Sequence, residues 1–241
     1  MHHRLRGMLA TVTVAAMVCV PGMAHAQFGT NLITNPGAES GTGSPSGNDI
    51  EAIPGWTTTG NFTAVQYGAP AFPATTDPGP ASRGANFFAG GPDNASSTAM
   101  QTQSLGFASS VITAGTANFT LSGYFGGFAS QGDHTWLFVN FLDGSNAVVG
   151  TFSVGGVDAT DRANLTGLLF RTTNGVIPVG ATQAQFLLQA TRTDGSYNDG
   201  YSDNVSFIVG TQSTVPEPSS MALLGTGLVG IIPLARRKFR K

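Results

Sequence analysis

Between residues 27 and 214, apolar and polar residues trade places in short bursts, and no stretch sustains the 3.6-residue period of an amphipathic helix. Residues 116–124 alternate strictly, with Ala117, Phe119 and Leu121 on one face and Asn118, Thr120 and Ser122 on the other. Residues 183–191 do the same: Ala184, Phe186, Leu188 and Ala190 oppose Gln183, Gln185, Gln189 and Thr191, with Leu187 as the exception. A period of two with one apolar face predicts a half-buried antiparallel strand. Residues 136–142 are apolar at nearly every position, which predicts a central strand covered on both faces, with Trp136 in the core. Asp143-Gly144-Ser145-Asn146 then predicts a turn, and 147–154 the returning arm of a hairpin.

Further strands are expected near 31–34, 61–67, 85–89, 98–105, 165–172 and 201–209. Gly, Ser and Pro crowd residues 37–48, and four prolines fall in residues 70–80, so both read as loops. About ten short strands in one stretch of chain predict an all-β fold, an antiparallel two-sheet sandwich of jelly-roll-like type. No internal repeat is visible.

The two ends have a different character. Residues 1–26 carry Arg4 and Arg6, an apolar run over 8–20, and Ala24-His25-Ala26, the pattern of a secretory signal peptide cleaved between Ala26 and Gln27. Cys19, the only cysteine, lies inside that segment. A lipoprotein site there would sit behind Val18, which is bulkier than such processing prefers. The exported chain thus has no disulfide, no thiolate nucleophile and no cysteine-based zinc site.

At the other end, residues 215–241 fall into three parts. Val215-Pro216-Glu217-Pro218 comes first; its prolines enforce an extended, exposed backbone. Residues 221–235 then hold no charge and predict a single transmembrane helix, although roughly 22 Å of helix is short against about 30 Å of hydrocarbon. The chain ends in Arg236, Arg237, Lys238, Arg240 and Lys241, a basic stop on the cytoplasmic side. Motif, apolar run and basic end in this order closely resemble the bacterial PEP-CTERM sorting signal. The resemblance covers about a ninth of the chain. It implies recognition by an exosortase, a membrane-embedded sorting enzyme, after passage through the secretion machinery. It also implies cleavage near the motif, a transient hold in the inner membrane, and delivery to the cell surface or beyond.

Between the signals, residues 27–214 carry twelve acidic residues against Arg83, Arg162, Arg171 and Arg192, so this part is near −8 while the whole chain is −2. Such a surface excludes nucleic acid as a partner, because phosphate contacts need Lys and Arg. Asn31-Leu32-Ile33-Thr34-Asn35-Pro36-Gly37-Ala38-Glu39 with Ile53-Pro54-Gly55-Trp56, Gly84-Ala85-Asn86-Phe87-Phe88-Ala89-Gly90 and Tyr201-Ser202-Asp203-Asn204-Val205-Ser206-Phe207 resemble the opening, a middle strand and the closing strand of galactose-binding-like jelly rolls, including carbohydrate-binding modules. The resemblance implies a structural calcium held by Glu39 and Asp203.

Catalysis finds little support. His134 is the one histidine of the exported part, and no Gly-x-Ser-x-Gly elbow accompanies it. Residues 194–200 hold three acids or amides among glycines, but a turn explains them better than a calcium loop. Trp56, Tyr67, Tyr124, Tyr197 and Tyr201 are the aromatic residues open to stacking on sugar rings. The sequence therefore points to a non-catalytic surface or matrix protein, not an enzyme, sorted through its tail; the alternative is a carbohydrate-binding module that recognises exopolysaccharide.

Overall fold

Ten strands form where the alternation places them: β1 (Thr57–Thr59), β2 (Thr63–Gln66), β3 (Asn86–Pro92), β4 (Ser96–Ser104), β5 (Ala117–Gly127), β6 (His134–Leu142), β7 (Val148–Gly155), β8 (Gly167–Val176), β9 (Gln183–Thr191) and β10 (Tyr197–Thr211). A 3₁₀ turn (Gly106–Ala108) leads into the short helix α1 (Ser109–Thr113). The structure, a computed structural model, describes residues 27–211. The signal peptide, the sorting motif, the expected transmembrane helix and the basic stop lie outside the described residues. Among the described residues no helix is long and apolar enough to cross a membrane.

The strands make two antiparallel sheets of five. The first runs β1-β4-β9-β6-β7 and the second β2-β3-β10-β5-β8. Only β2–β3 and β6–β7 are hairpins within one sheet; every other connection crosses between sheets, as in a jelly roll. The core lies between the two inner faces. At its centre Phe207 stacks on Phe119 at 5.4 Å between ring centroids and meets Phe186 at 5.0 Å. Each buried phenylalanine contributes about 1.5–3 kcal/mol, so this cluster holds the sheets together. The β6–β7 turn is fixed by Asp143, whose Oδ1 accepts the Ser145 and Ala147 amides at 2.8 and 2.9 Å while Asn146 takes φ 64°.

Three features depart from the sequence reading. β6 is not covered on both faces. Thr135, Leu137, Val139 and Phe141 point inward, whereas Trp136, Phe138 and Asn140 are half-buried on the outer face of the first sheet. An apolar residue at every position hid the period of two. Residues 31–34 form one bridge, Asn31 to Ile208, because the Asn31 side chain takes the place of a ladder: it donates to Val205 O and accepts from Phe207 N. The run still lies beside the closing strand, as expected of first and last segments. The third departure is β1, three exposed threonines that carry no apolar signal.

A second, smaller core lies on the outer face of the second sheet. Val65, Phe87, Ala89, Leu168 and Tyr201 point away from the sandwich there, and the proline-rich loop lays Ala69 and Phe72 over them. Arg83 pins that loop by donating to the carbonyls of Ala74, Asp77 and Pro80. This covering loop builds the wall of the site described next.

Candidate functional site

Above the second sheet, four chain segments enclose an open cavity of about 490 Å³. The loop after residue 43 brings Asn48, the proline-rich loop Phe72, the β5–β6 connection Phe128 and Gln131, and the start of β10 Tyr197 and Asp199. Tyr197 and Asp199 are alternate residues of one strand, so both side chains face the same way. Phe72 meets the Tyr197 ring edge-on at 5.0 Å and packs where a side chain on Gly47 would stand; Gly47, at φ +76°, is the residue that lets the two loops close.

Asp199 is 7 % exposed. Its carboxylate accepts the Tyr201 hydroxyl, and its backbone amide donates to Asp133 Oδ2 at 2.8 Å. Burial pushes its pKa up to about 6; the Tyr201 hydrogen bond opposes the rise, the Asp133 charge adds to it and Arg162 opposes it. Arg162 forms no hydrogen bond to either acid. It donates to the carbonyls of Ala129, Gln131 and Leu165, which shapes the β5–β6 connection, and burial lowers its pKa. Two polar atoms at this site are buried with no partner: Gln131 Oε1 and the Tyr197 hydroxyl. Burial also raises the Tyr197 pKa, so its hydroxyl stays protonated. Such groups are costly unless something bonds them. The walls offer acceptors and one phenol among aromatic rings, and the lining holds one carboxylate and no cation.

The residues expected to hold calcium meet at another corner. A side chain on Gly37 would stand 2.9 Å from Asp203 Oδ1 and 3.7 Å from Glu39 Cγ. Asp203 is buried, takes the Tyr67 hydroxyl at 2.8 Å, and is pushed up to about 8, chiefly by burial and further by the Glu39 charge. Glu39 accepts the Ala85 and Asn86 amides at 3.0 and 2.9 Å. Two carboxylates so close suit a cation. Each oxygen already holds a hydrogen bond, however, and Arg83 sits 5.1 Å over the Tyr67 ring beside them. Among the described residues no three His, Cys, Asp or Glu side chains come together as metal ligands.

His134 begins β6 with Nδ1 3.0 Å from Gly132 O, and Asp133 spends both oxygens on the amides of Thr193, Asp194 and Asp199. Of the aromatic residues named from the sequence, Trp56 is core: its indole donates to Asn35 O and packs on Phe88. Tyr201 is fully buried, and Tyr67 and Tyr124 pack on the smaller core. Tyr197 alone lines the cavity. Asp199 was open to discovery from the alternation of β10. Phe72, Phe128 and Gln131 stand on loops, where the sequence carries no such signal.

Comparison with known proteins adds the following. Residues 214–241 match the PEP-CTERM protein-sorting motif. No curated protein matches the chain. Among solved structures, a cyclase from Fischerella sp. TAU in complex with 4-(1H-indol-3-yl)butan-2-one is 18 % identical, with 77 % of this chain and 99 % of that one covered and a TM-score of 0.47. The CBM22-1 xylan-binding domain of Paenibacillus barcinonensis Xyn10C is 13 % identical, covering 70 % and 93 %, at a TM-score of 0.36. The enzymatically active domain of bacteriophage CBA120 tailspike protein 4 is 17 % identical over 75 % of this chain, at a TM-score of 0.43, and this chain spans only 21 % of its length. The tail thus carries an exosortase-type sorting signal, and the likenesses to solved structures are those of distant β-sandwiches.

Proposed function

We propose that this is an exported, non-catalytic surface protein that binds polysaccharide through the cavity above its second sheet. The observation that carries the reading is the set of unpartnered acceptors between aromatic walls. A sugar ring presents apolar C–H faces to aromatic side chains and hydroxyl donors around its rim. Tyr197 and Asp199 stand on the order of 7 Å apart along β10, with Gln131 on a separate loop, so the donors of a ligand must be spread. An ammonium group gathers its donors at one point and suits the cavity less well. A carboxylate or phosphate meets acceptors only.

The sorting tail supports the cellular side of this reading: secretion, transient anchoring in the inner membrane, processing by an exosortase, and release to the surface where exopolysaccharide lies. A structural calcium at Glu39 and Asp203 belongs to the proposal as a separate element; it would supply charge neutralisation for the two carboxylates and nothing to sugar recognition. A glycan array tests the main reading. The wild-type chain is expected to retain at least one neutral polysaccharide and Tyr197→Ala to lose it. Empty arrays for the wild type would favour a purely structural role.

A further inference from the structure

The outer face of the first sheet, on the far side of the sandwich, carries a second pattern. Register places Met100, Leu187 and Phe138 side by side across β4, β9 and β6, and Trp136 next to Gln189 one row away. Gln185 faces Asn140 in the following row, and the two side-chain amides touch at 3.3 Å. Met100 is 37 % exposed, and Trp136, Phe138 and Leu187 are half-buried. Gln189 has no side-chain hydrogen bond among the described residues. No charged side chain stands in these three rows, although the exported part carries twelve acids.

We infer that this face is a second polysaccharide site, a flat platform across which a neutral chain lies, and that the two sites make the domain a cross-linker of polysaccharide chains. The inference rests on the polysaccharide reading of the cavity. The absence of charge selects the occupant: a neutral polymer loses no ionic hydration here, whereas an anionic polymer gains no cation and a protein partner of either charge finds nothing to pair with. Aromatic and thioether surface meets the apolar faces of successive sugar rings, and free amides on both sides meet their hydroxyls. A stripe crossing five strands spans about 19 Å, long enough for several sugar units in a row. The cavity differs: it is enclosed by loops and takes a chain end or a branch. A protein with one site decorates a polymer. A protein with two, on opposite faces, joins two chains.

The test uses the purified full-length chain in a sugar-free detergent with soluble xylan, β-glucan, mannan and galactan, and with alginate as an anionic control. Cross-linking is read as turbidity or viscosity, and binding by affinity electrophoresis. Wild type is expected to bind and aggregate a neutral polymer. Trp136→Ala and Leu187→Lys should abolish aggregation and weaken platform binding about tenfold while leaving Asp199-dependent binding intact. Both variants are checked by thermal melting, and Leu187→Lys removes no core contact. If both variants cross-link like the wild type, or if alginate binds as well as the neutral polymers, the platform is overturned and the cavity reading stands. If Trp136→Ala alone removes binding and Asp199→Asn does nothing, the cavity reading fails and the platform stands, without cross-linking. If the wild type binds no polymer, both fall.

Discussion

Asp203 and Asp199 are the residues whose environment says most. Both are buried, and both are pushed up, to about 8 and about 6, mainly by burial. Their unfolded pKa values are near 3.9, so between pH 4 and 8 the native state holds protons that the unfolded state has lost. By linkage, their stabilising contribution is full below about pH 4 and is lost as pH rises through about 6 and then about 8. Asp143 and Asp194 act the other way. Backbone and hydroxyl hydrogen bonds lower them, and their contribution fades as pH falls below the usual carboxylate range. The melting temperature is therefore expected to peak in mildly acidic solution and to decline toward pH 9. Asp203→Asn should flatten the upper part of that decline, and a decline of unchanged slope in the variant would count against the assignment. Calcium bound by Glu39 and Asp203 would reverse the trend above pH 8, where adding calcium should raise the melting temperature and a chelator lower it. These residues were nominated by likeness to jelly-roll ends, not by spacing. Their proximity was legible in that sense, but the burial of Asp203, set by the αL residue Asn204 (φ 47°) that bulges β10 at this point, was not.

At the level of elements, alternation predicted β5 and β9 closely, because each has one apolar and one polar face. It failed for β6, where Trp136 and Phe138 make the outer face as apolar as the inner one. The failure matters, since those outward residues form the proposed platform: a strand apolar on both faces is buried on both or has a use for its exposed side. The two faces should differ sharply in mutational cost. Leu137→Ala empties the core and is expected to cost about 2–5 kcal/mol. Trp136→Ala, one residue away, is expected to cost about 1 kcal/mol. Chemical denaturation of both variants decides it, and equal losses would mean that Trp136 is packed like a core residue. The loops were the least legible elements. Their composition marks residues 70–80 as a loop, but nothing in composition says that Phe72 folds back over the second sheet and walls a cavity.

For the whole molecule, the ends and the middle answer different questions. The tail was readable because its three parts must appear in one order for a bilayer and an enzyme to act on them, and residues 214–241 match the sorting motif directly. Deleting residues 221–241 should move the protein from the membrane fraction to the medium or periplasm. Retention in the membrane would contradict the topology. Replacing Glu217 should leave a longer, unprocessed chain on a gel. The middle gave up its class, an all-β sandwich of two antiparallel sheets, because ten short apolar runs with turn signals leave few other folds. It withheld its ligand, since the cavity is assembled from four segments far apart in sequence.

The central claim is that Asp199, Tyr197 and Gln131 hold a sugar. The most direct measurement is a titration of the full-length chain with neutral sugars and short oligosaccharides, followed by calorimetry and by amide shifts of Gln131, Gly195 and Ser196, for wild type and Asp199→Asn. At least one sugar should bind and shift those amides, with the variant about tenfold weaker for the loss of a charged acceptor. Absence of binding by every sugar, or equal binding by the variant, would contradict the account.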